Sequence, residues 1–285
     1  MTLARAGRRA AAAAMALLAL AAVPFGQGGT SAVVAPDFVD IPAGPFVMGA
    51  DPAASAEAFD NERWSPAAGT GTVDLPLFAI ARHEVTVAEF AAFAAATGWK
   101  AEPAALRAPG ALPVSHVAWT DAVGYTRWLT TVLTSARSTP PRVGERLAAG
   151  WRITLPTEAQ WEKAARGTDG RRYPWGDDLR RDRATFDASA PTPAGARACP
   201  ECAHGLADMA GNVWEWTRSP YQPYPYDESD DRQVSEADAL WVMRGGGFAD
   251  PARLVRTSAR GAAEPGARRP FIGFRVALVP PAPRR

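Results

Sequence analysis

The segment Gly205-Leu206-Ala207-Asp208-Met209-Ala210-Gly211-Asn212-Val213-Trp214-Glu215-Trp216-Thr217 constrains the fold of this chain more than any other. Gly205 and Gly211 open backbone angles that are closed to residues carrying a Cβ, and Trp214 and Trp216 flank a glutamate. A stretch so polar and so punctuated is not a plain core strand. It predicts a tight, irregular loop that turns its own carbonyls inward beside Asp208 and Glu215. Carboxylates combined with backbone oxygens form the donor set of a hard cation such as Ca²⁺. The competing reading of the same residues is a packed turn whose tryptophans fill core.

The rest of the chain supplies enough apolar material to bury such a loop. Of 285 residues, 47% are hydrophobic and 10 are Trp, ample for a sizeable core. A net charge of +1, with both signs scattered, gives neither a nucleic-acid footprint nor a polybasic membrane patch. Residues 1–32 are different in kind. Arg5, Arg8 and Arg9 precede an apolar run from Ala10 to Val23, and small residues follow through Ala32, which is the pattern of a signal peptide. The expectation is export to the periplasm or medium, with residues 33–285 as the mature domain. The run is too short and Ala-rich for a good membrane span; an uncleaved anchor is the rival reading. The Arg8-Arg9 pair leaves open whether the general or the twin-arginine route is used.

Periodicity places the elements. Val33 to Gly49 reads as two strands around Ile41–Pro45, Asp51 to Gly71 as a long polar loop, and Val73 to Val85 as strand. Thr86-Val87-Ala88-Glu89 is a capping box opening a helix that Gly98 closes. A second helix is expected with Thr120 or Asp121 as its cap and Tyr125, Trp128, Leu129, Val132 and Leu133 as its buried stripe. Ser138 to Gly150 reads as an inserted loop, and Thr157-Glu158-Ala159-Gln160 as another capping box with Trp161, Ala164 and Ala165 inward. Short strands are expected at 241–248, 254–258 and 272–279. Helices early and irregular β structure late, without βαβ alternation, indicate an α+β class.

Several segments, in order, resemble the formylglycine-generating enzyme (sulfatase-modifying factor) family: FVDIPAGPFVMG, HEVTVAEFAAF, PVSHVAW, LPTEAQWEKAARG, YPWGDD, GLADMAGNVWEW, VMRGGGF and IGFRVA. The resemblance implies a single compact domain of C-type-lectin-like topology with little regular secondary structure. It also implies a calcium site formed by Asp208, the carbonyls of Gly211 and Val213, and Glu215. A second calcium site of the family would begin near Thr185, where the pattern is not matched and Asp187 fits it poorly. Catalytic members bind copper(I) through two cysteines near the carboxyl terminus and oxidise a sulfatase cysteine to formylglycine. The matching positions here are Ala252 and Thr257, and no Cys follows Cys202. Copper-dependent formylglycine synthesis is therefore not expected, because neither side chain replaces a soft thiolate.

Cys199 and Cys202 leave three readings open: a disulfide, a soft-metal site for copper or zinc with His204, or a redox pair. His83, His116 and His204 are the only histidines, and iron would need two of them with a carboxylate facing one cavity. Relatives that make ergothioneine carry their iron ligands largely in an additional helical domain, which disfavours that activity here. Arg244, Arg256, Arg260 and Arg275 read either as buried ion pairs or as a clamp for an anionic or peptide substrate. The reading that follows is an exported accessory or maturation factor acting on a partner protein or peptide, as the family's pyoverdine-maturation and nitrite-reductase-associated members imply. Its rivals are a calcium-stabilised binding module without catalysis and an oxidase with a relocated metal site.

Overall fold

Two capping boxes decide where the chain first becomes regular. The Thr86 hydroxyl accepts from the Glu89 N–H at 3.2 Å while the Thr86 N–H donates to the Glu89 carboxylate at 2.7 Å, starting α1 (Val87–Thr97). Gly98, at φ 67°, takes the left-handed turn that ends it. Thr157 and Gln160 make the same reciprocal pair, at 3.0 and 2.9 Å, at the head of α4 (Glu158–Arg166). Every residue of α4 is buried, its charged ones included, so this short helix is an axle of the fold rather than a surface element.

The computed structural model describes residues 33–51, 55–231 and 239–282, and these cluster as one compact unit. The signal-peptide reading of residues 1–32 lies outside them. Strands β1 (Phe38–Ile41), β2 (Gly44–Gly49), β3 (Thr70–Leu75) and β4 (Phe78–Ala81) come before α1. Helix α2 (Trp119–Ser135), helix α3 (Pro141–Ala148) and β5 (Arg152–Thr154) lie between α1 and α4. After α4 come β6 (Trp214–Pro220), β7 (Trp241–Arg244), β8 (Arg260–Ala263), β9 (Ile272–Gly273) and β10 (Ala277–Val279). One antiparallel sheet runs β1-β4-β10-β5, so the last strand sits between β4 and β5, both far earlier in the chain. A second sheet runs β8-β7-β6-β9, parallel only where β6 meets β9, and β2 and β3 form a separate hairpin. Helix α4 packs against β2, β6 and β7. The Trp119 and Trp241 rings, stacked with centroids 4.0 Å apart, join α2 to the second sheet.

Three expectations need correction. Helix α2 starts at Trp119, because the Asp121 carboxylate reaches back to the Ala118 N–H at 2.8 Å and satisfies it from inside the helix. Trp128 and Val132 are only half-buried on it. The supposed inserted loop contains α3: Pro141 opens it, and Val143 and Leu147, one turn apart, bury its apolar side. Residues 254–258 are not a strand; β8 starts later, at Arg260. The chain from Ala252 to Ala259 runs through turns, with the Val255 N–H donating to the Ala252 carbonyl and the Ala259 N–H to the Arg256 carbonyl.

Candidate functional site

The Gly205–Thr217 loop is as irregular as its glycines require. It enters the left-handed region at Gly205 (φ 62°), Asp208 (φ 54°), Gly211 (φ 77°) and Asn212 (φ 64°). A side chain at Gly211 would overlap the Thr185 carbonyl, so only glycine fits there. Asn212 ties the loop down. Its Oδ1 accepts from the Thr192 N–H at 3.0 Å and its Nδ2 donates to Glu84 Oε1 at 3.0 Å. The two tryptophans do fill core, but each indole also donates: Trp214 to Asp250 at 2.6 Å and Trp216 to the Val117 carbonyl at 2.9 Å.

Behind the loop lies a buried charge cluster of Glu84, Asp208, Glu215 and Arg275. Arg275 donates to both Glu215 oxygens at 2.6 Å, and the Trp161 indole adds a third bond at 2.7 Å. Further guanidinium N–H groups reach the carbonyls of Ala207 and Asp208 at 3.1 and 3.2 Å, so Arg275 pins the loop as well as the glutamate. Asp208 Oδ2 accepts from the Gly195 N–H at 2.6 Å. Among these four side chains, three carboxylates face one guanidinium, an excess of two negative charges when all are ionised. Two buried oxygens, Glu84 Oε2 and Asp208 Oδ1, have no donor. Burial raises the pKa of Glu84, with the Asp208 charge adding to it. Burial likewise raises Asp208 and Glu215, against the lowering pull of Arg275 on both.

In donor chemistry and charge Glu84 and Asp208 suit a divalent cation that takes its remaining oxygens from backbone, because among the described residues no third acidic side chain is grouped with them to hold one. The emphasis differs from the sequence reading. Asp208 carries an unsatisfied oxygen, whereas both oxygens of Glu215 are engaged by Arg275 and Trp161. Glu84, which sequence reasoning did not single out, supplies the other unsatisfied oxygen. Its only signal was an acid set directly before the capped helix, between His83 and Val85. The carbonyls of Gly211 and Val213 belong to the same turn.

Arg244, Arg256 and Arg260 are ion-paired inside the fold, although Arg260 also lines a small hollow with Tyr224 and Tyr226. Arg256 grips Glu62 at 2.5 and 2.7 Å, Arg260 grips Glu158 at 2.6 and 2.9 Å, and Arg244 pairs with Glu162. The physical reason is that a buried guanidinium needs a carboxylate and carbonyls around it.

Of the two positions matched to the copper cysteines, Ala252 lies on a one-turn helix, Ala252–Leu254, and Thr257 is fully buried. The Thr257 hydroxyl accepts from Arg166 Nε at 3.2 Å and lies 3.0 and 3.1 Å from the carbonyls of Arg171 and Arg172. Cys199 and Cys202 are joined as a disulfide, with no free cysteine. His204, nearby in sequence, has a buried Nε2 without a partner, and burial holds its pKa below the usual imidazole value. His83 sets Nδ1 2.8 Å from the Glu84 carbonyl, while the His116 N–H, in a left-handed residue, donates to the Arg269 carbonyl. Among the described residues no three His, Cys, Asp or Glu side chains are grouped to hold a metal. Thr185 meets Thr192 hydroxyl to hydroxyl at 2.8 Å, and Asp187 pairs with Arg181 at 2.9 Å.

An α+β domain with short sheets, a fully buried axle helix and a carboxylate-backed turn defines the class of protein. The chain belongs to the sulfatase-modifying factor enzyme 1-like domain family, whose model matches residues 25–279. It is 32% identical to a hercynine oxygenase of Mycolicibacterium smegmatis over 90% of this chain, and spans 63% of that relative's length. It is 29% identical to a formylglycine-generating enzyme of Thermomonospora curvata over 87% of this chain and 95% of that one. Among solved structures, PvdO from Pseudomonas aeruginosa superposes with a TM-score of 0.67 at 26% identity, over 85% of this chain and 94% of that one.

Proposed function

We propose that this chain is an exported accessory or maturation factor that acts on a partner protein or peptide and makes no formylglycine by copper chemistry. The observation that carries the reading is Thr257. Copper(I) is held by soft thiolates, and the position matched to one of them holds a buried hydroxyl committed to Arg166 and two carbonyls. The chain's own sulfur at Cys199 and Cys202 is disulfide-bonded, which removes both thiolates as ligands. The family hosts more than one chemistry, as relatives named hercynine oxygenase and formylglycine-generating enzyme attest, so membership alone assigns neither.

The reading includes a Ca²⁺ ion at the loop, held by Asp208 and Glu84 with the carbonyls of Gly211 and Val213. The support is the pair of unsatisfied buried oxygens and the uncompensated negative charge. When bound, the ion supplies charge compensation only. The chain's own part is positioning: Asn212 holds Glu84, Gly195 holds Asp208, and Arg275 holds both the loop carbonyls and Glu215.

The test is direct. The purified protein, supplied with copper and oxygen, is incubated with a CxPxR-type sulfatase peptide, and the product is weighed by mass spectrometry. The expected result is an unchanged cysteine; robust conversion to formylglycine overturns the proposal. In parallel, cross-linking in exported fractions is expected to recover a specific protein partner. Its absence, with the calcium response intact, supports the inert binding module instead.

A further inference from the structure

A concavity lies between α2, β5 and β6, and none of its lining residues belongs to the carboxylate cluster. It encloses about 300 Å³. Its wall comes from one stripe of α2: Val123, Thr126, Arg127, Thr130 and Thr131 recur at three- and four-residue steps and so share a face. Trp119, Arg152 and Arg218 complete the part of the lining that matters. Three arginines therefore line one hollow, and among the described residues its lining contains no carboxylate.

The chemistry of this lining is one-sided. Thr126, Thr130 and Thr131 donate their hydroxyl protons to helix carbonyls at 2.9 to 3.1 Å, which leaves the arginines as the donors facing the hollow. Arg218 Nε is buried without a partner, although one of its terminal N–H groups reaches the Asp231 carbonyl at 3.3 Å. Burial, reinforced by the charge of Arg152, makes the Arg218 cation costly, against the pull of Asp231 and Glu228. The Asp231 carboxyl is already engaged by the Ser219 and Tyr226 hydroxyls. Arg127 and Arg152 are exposed at the rim, and neither forms an ion pair among the described residues. Where the fold pairs Arg244, Arg256, Arg260 and Arg275 directly with buried carboxylates, Arg218 has only the more distant charges of Asp231 and Glu228, and Arg127 and Arg152 form no ion pair among the described residues.

We infer that this hollow binds a small organic phosphate monoester, with the phosphate on Arg127, Arg152 and Arg218 and the organic part against Trp119, Val123 and Ile153. A phosphate monoester carries close to two negative charges at neutral pH and offers three acceptor oxygens. Guanidinium groups match such oxygens in pairs. The apolar floor of Trp119, Val123 and Ile153 favours an ester over the free ion.

The probe is phenyl phosphate, followed by calorimetric titration of the whole protein, with phenol and inorganic phosphate as comparisons. Phenyl phosphate is expected to bind saturably, phenol not at all, and inorganic phosphate more weakly. Arg127→Gln and Arg152→Gln are each expected to weaken binding about tenfold. Both residues are exposed, so the variants should fold, which an unchanged melting temperature confirms. Arg107→Gln, an exposed arginine outside the hollow, should bind like the wild type. No saturable binding of phenyl phosphate, or undiminished binding by the doubly substituted Arg127→Gln, Arg152→Gln protein, overturns the assignment. So does phenol binding as tightly as its phosphate.

Discussion

Arg275 and Glu215 form a two-pronged ion pair, both bonds 2.6 Å long, in which neither side chain is exposed to solvent. The pair connects the last part of the chain to the Gly205–Thr217 loop. Because the same guanidinium also holds the carbonyls of Ala207 and Asp208, it sets the loop's path.

Breaking that pair should cost more than the pair itself contributes. Glu215→Ala leaves Arg275 charged and buried, and Arg275→Ala does the same to Glu215. Each single variant is expected to lose about 3–5 kcal/mol in urea unfolding. The double variant Glu215→Leu, Arg275→Met should lose less than the sum of the two single losses, because both charges of the pair are removed together. Additive losses would show that the two residues act independently.

Calcium should be felt through Asp208 and Glu84. A ligand bound only to the folded state stabilises by about 2.7 kcal/mol at a hundredfold excess over its Kd. Chelator is therefore expected to lower the Tm of the wild type and to leave Asp208→Asn and Glu84→Gln nearly unmoved. Equal chelator shifts in all three proteins, or none in any, would mean that the carboxyls share a proton and not a cation.

Thr257 should be structural. Thr257→Val removes the oxygen that Arg166 Nε and two carbonyls share in a fully buried place. The expected loss is about 1–3 kcal/mol. An unchanged unfolding midpoint would show that the hydroxyl is dispensable there.

Asp231 gives a pH dependence of known sign. Burial, the largest influence, raises its pKa to about 6, although the Ser219 and Tyr226 hydroxyls and Arg218 pull the other way. A carboxyl raised in the folded state favours folding while protonated, so its contribution is full below the unfolded value near pH 4 and lost as pH rises through 6. Between those limits the loss is about 2 kcal/mol after allowance for partial exposure. Asp231→Asn should flatten the stability profile between pH 4 and 6. A profile of the same slope in wild type and variant would refute the assignment.

Local chemistry made much of the fold legible in the sequence. Thr86 with Glu89, and Thr157 with Gln160, are contacts three residues apart, so the helices they open can be read without knowing anything distant. The loop's irregularity could be read from Gly205 and Gly211 for the same reason, and the family from motifs in order along the chain. Helix α3 was missed because its signal is only two apolar residues after a proline-rich start. The partnerships of the site were not legible, since they join residues far apart in the chain: Glu84 with Asn212, Arg275 with Glu215, Arg256 with Glu62. Sequence shows that a carboxylate and a guanidinium exist; only packing decides which are buried together. Desolvation makes each such pairing nearly obligatory once the fold closes around it. That is why Glu215, once buried, meets Arg275.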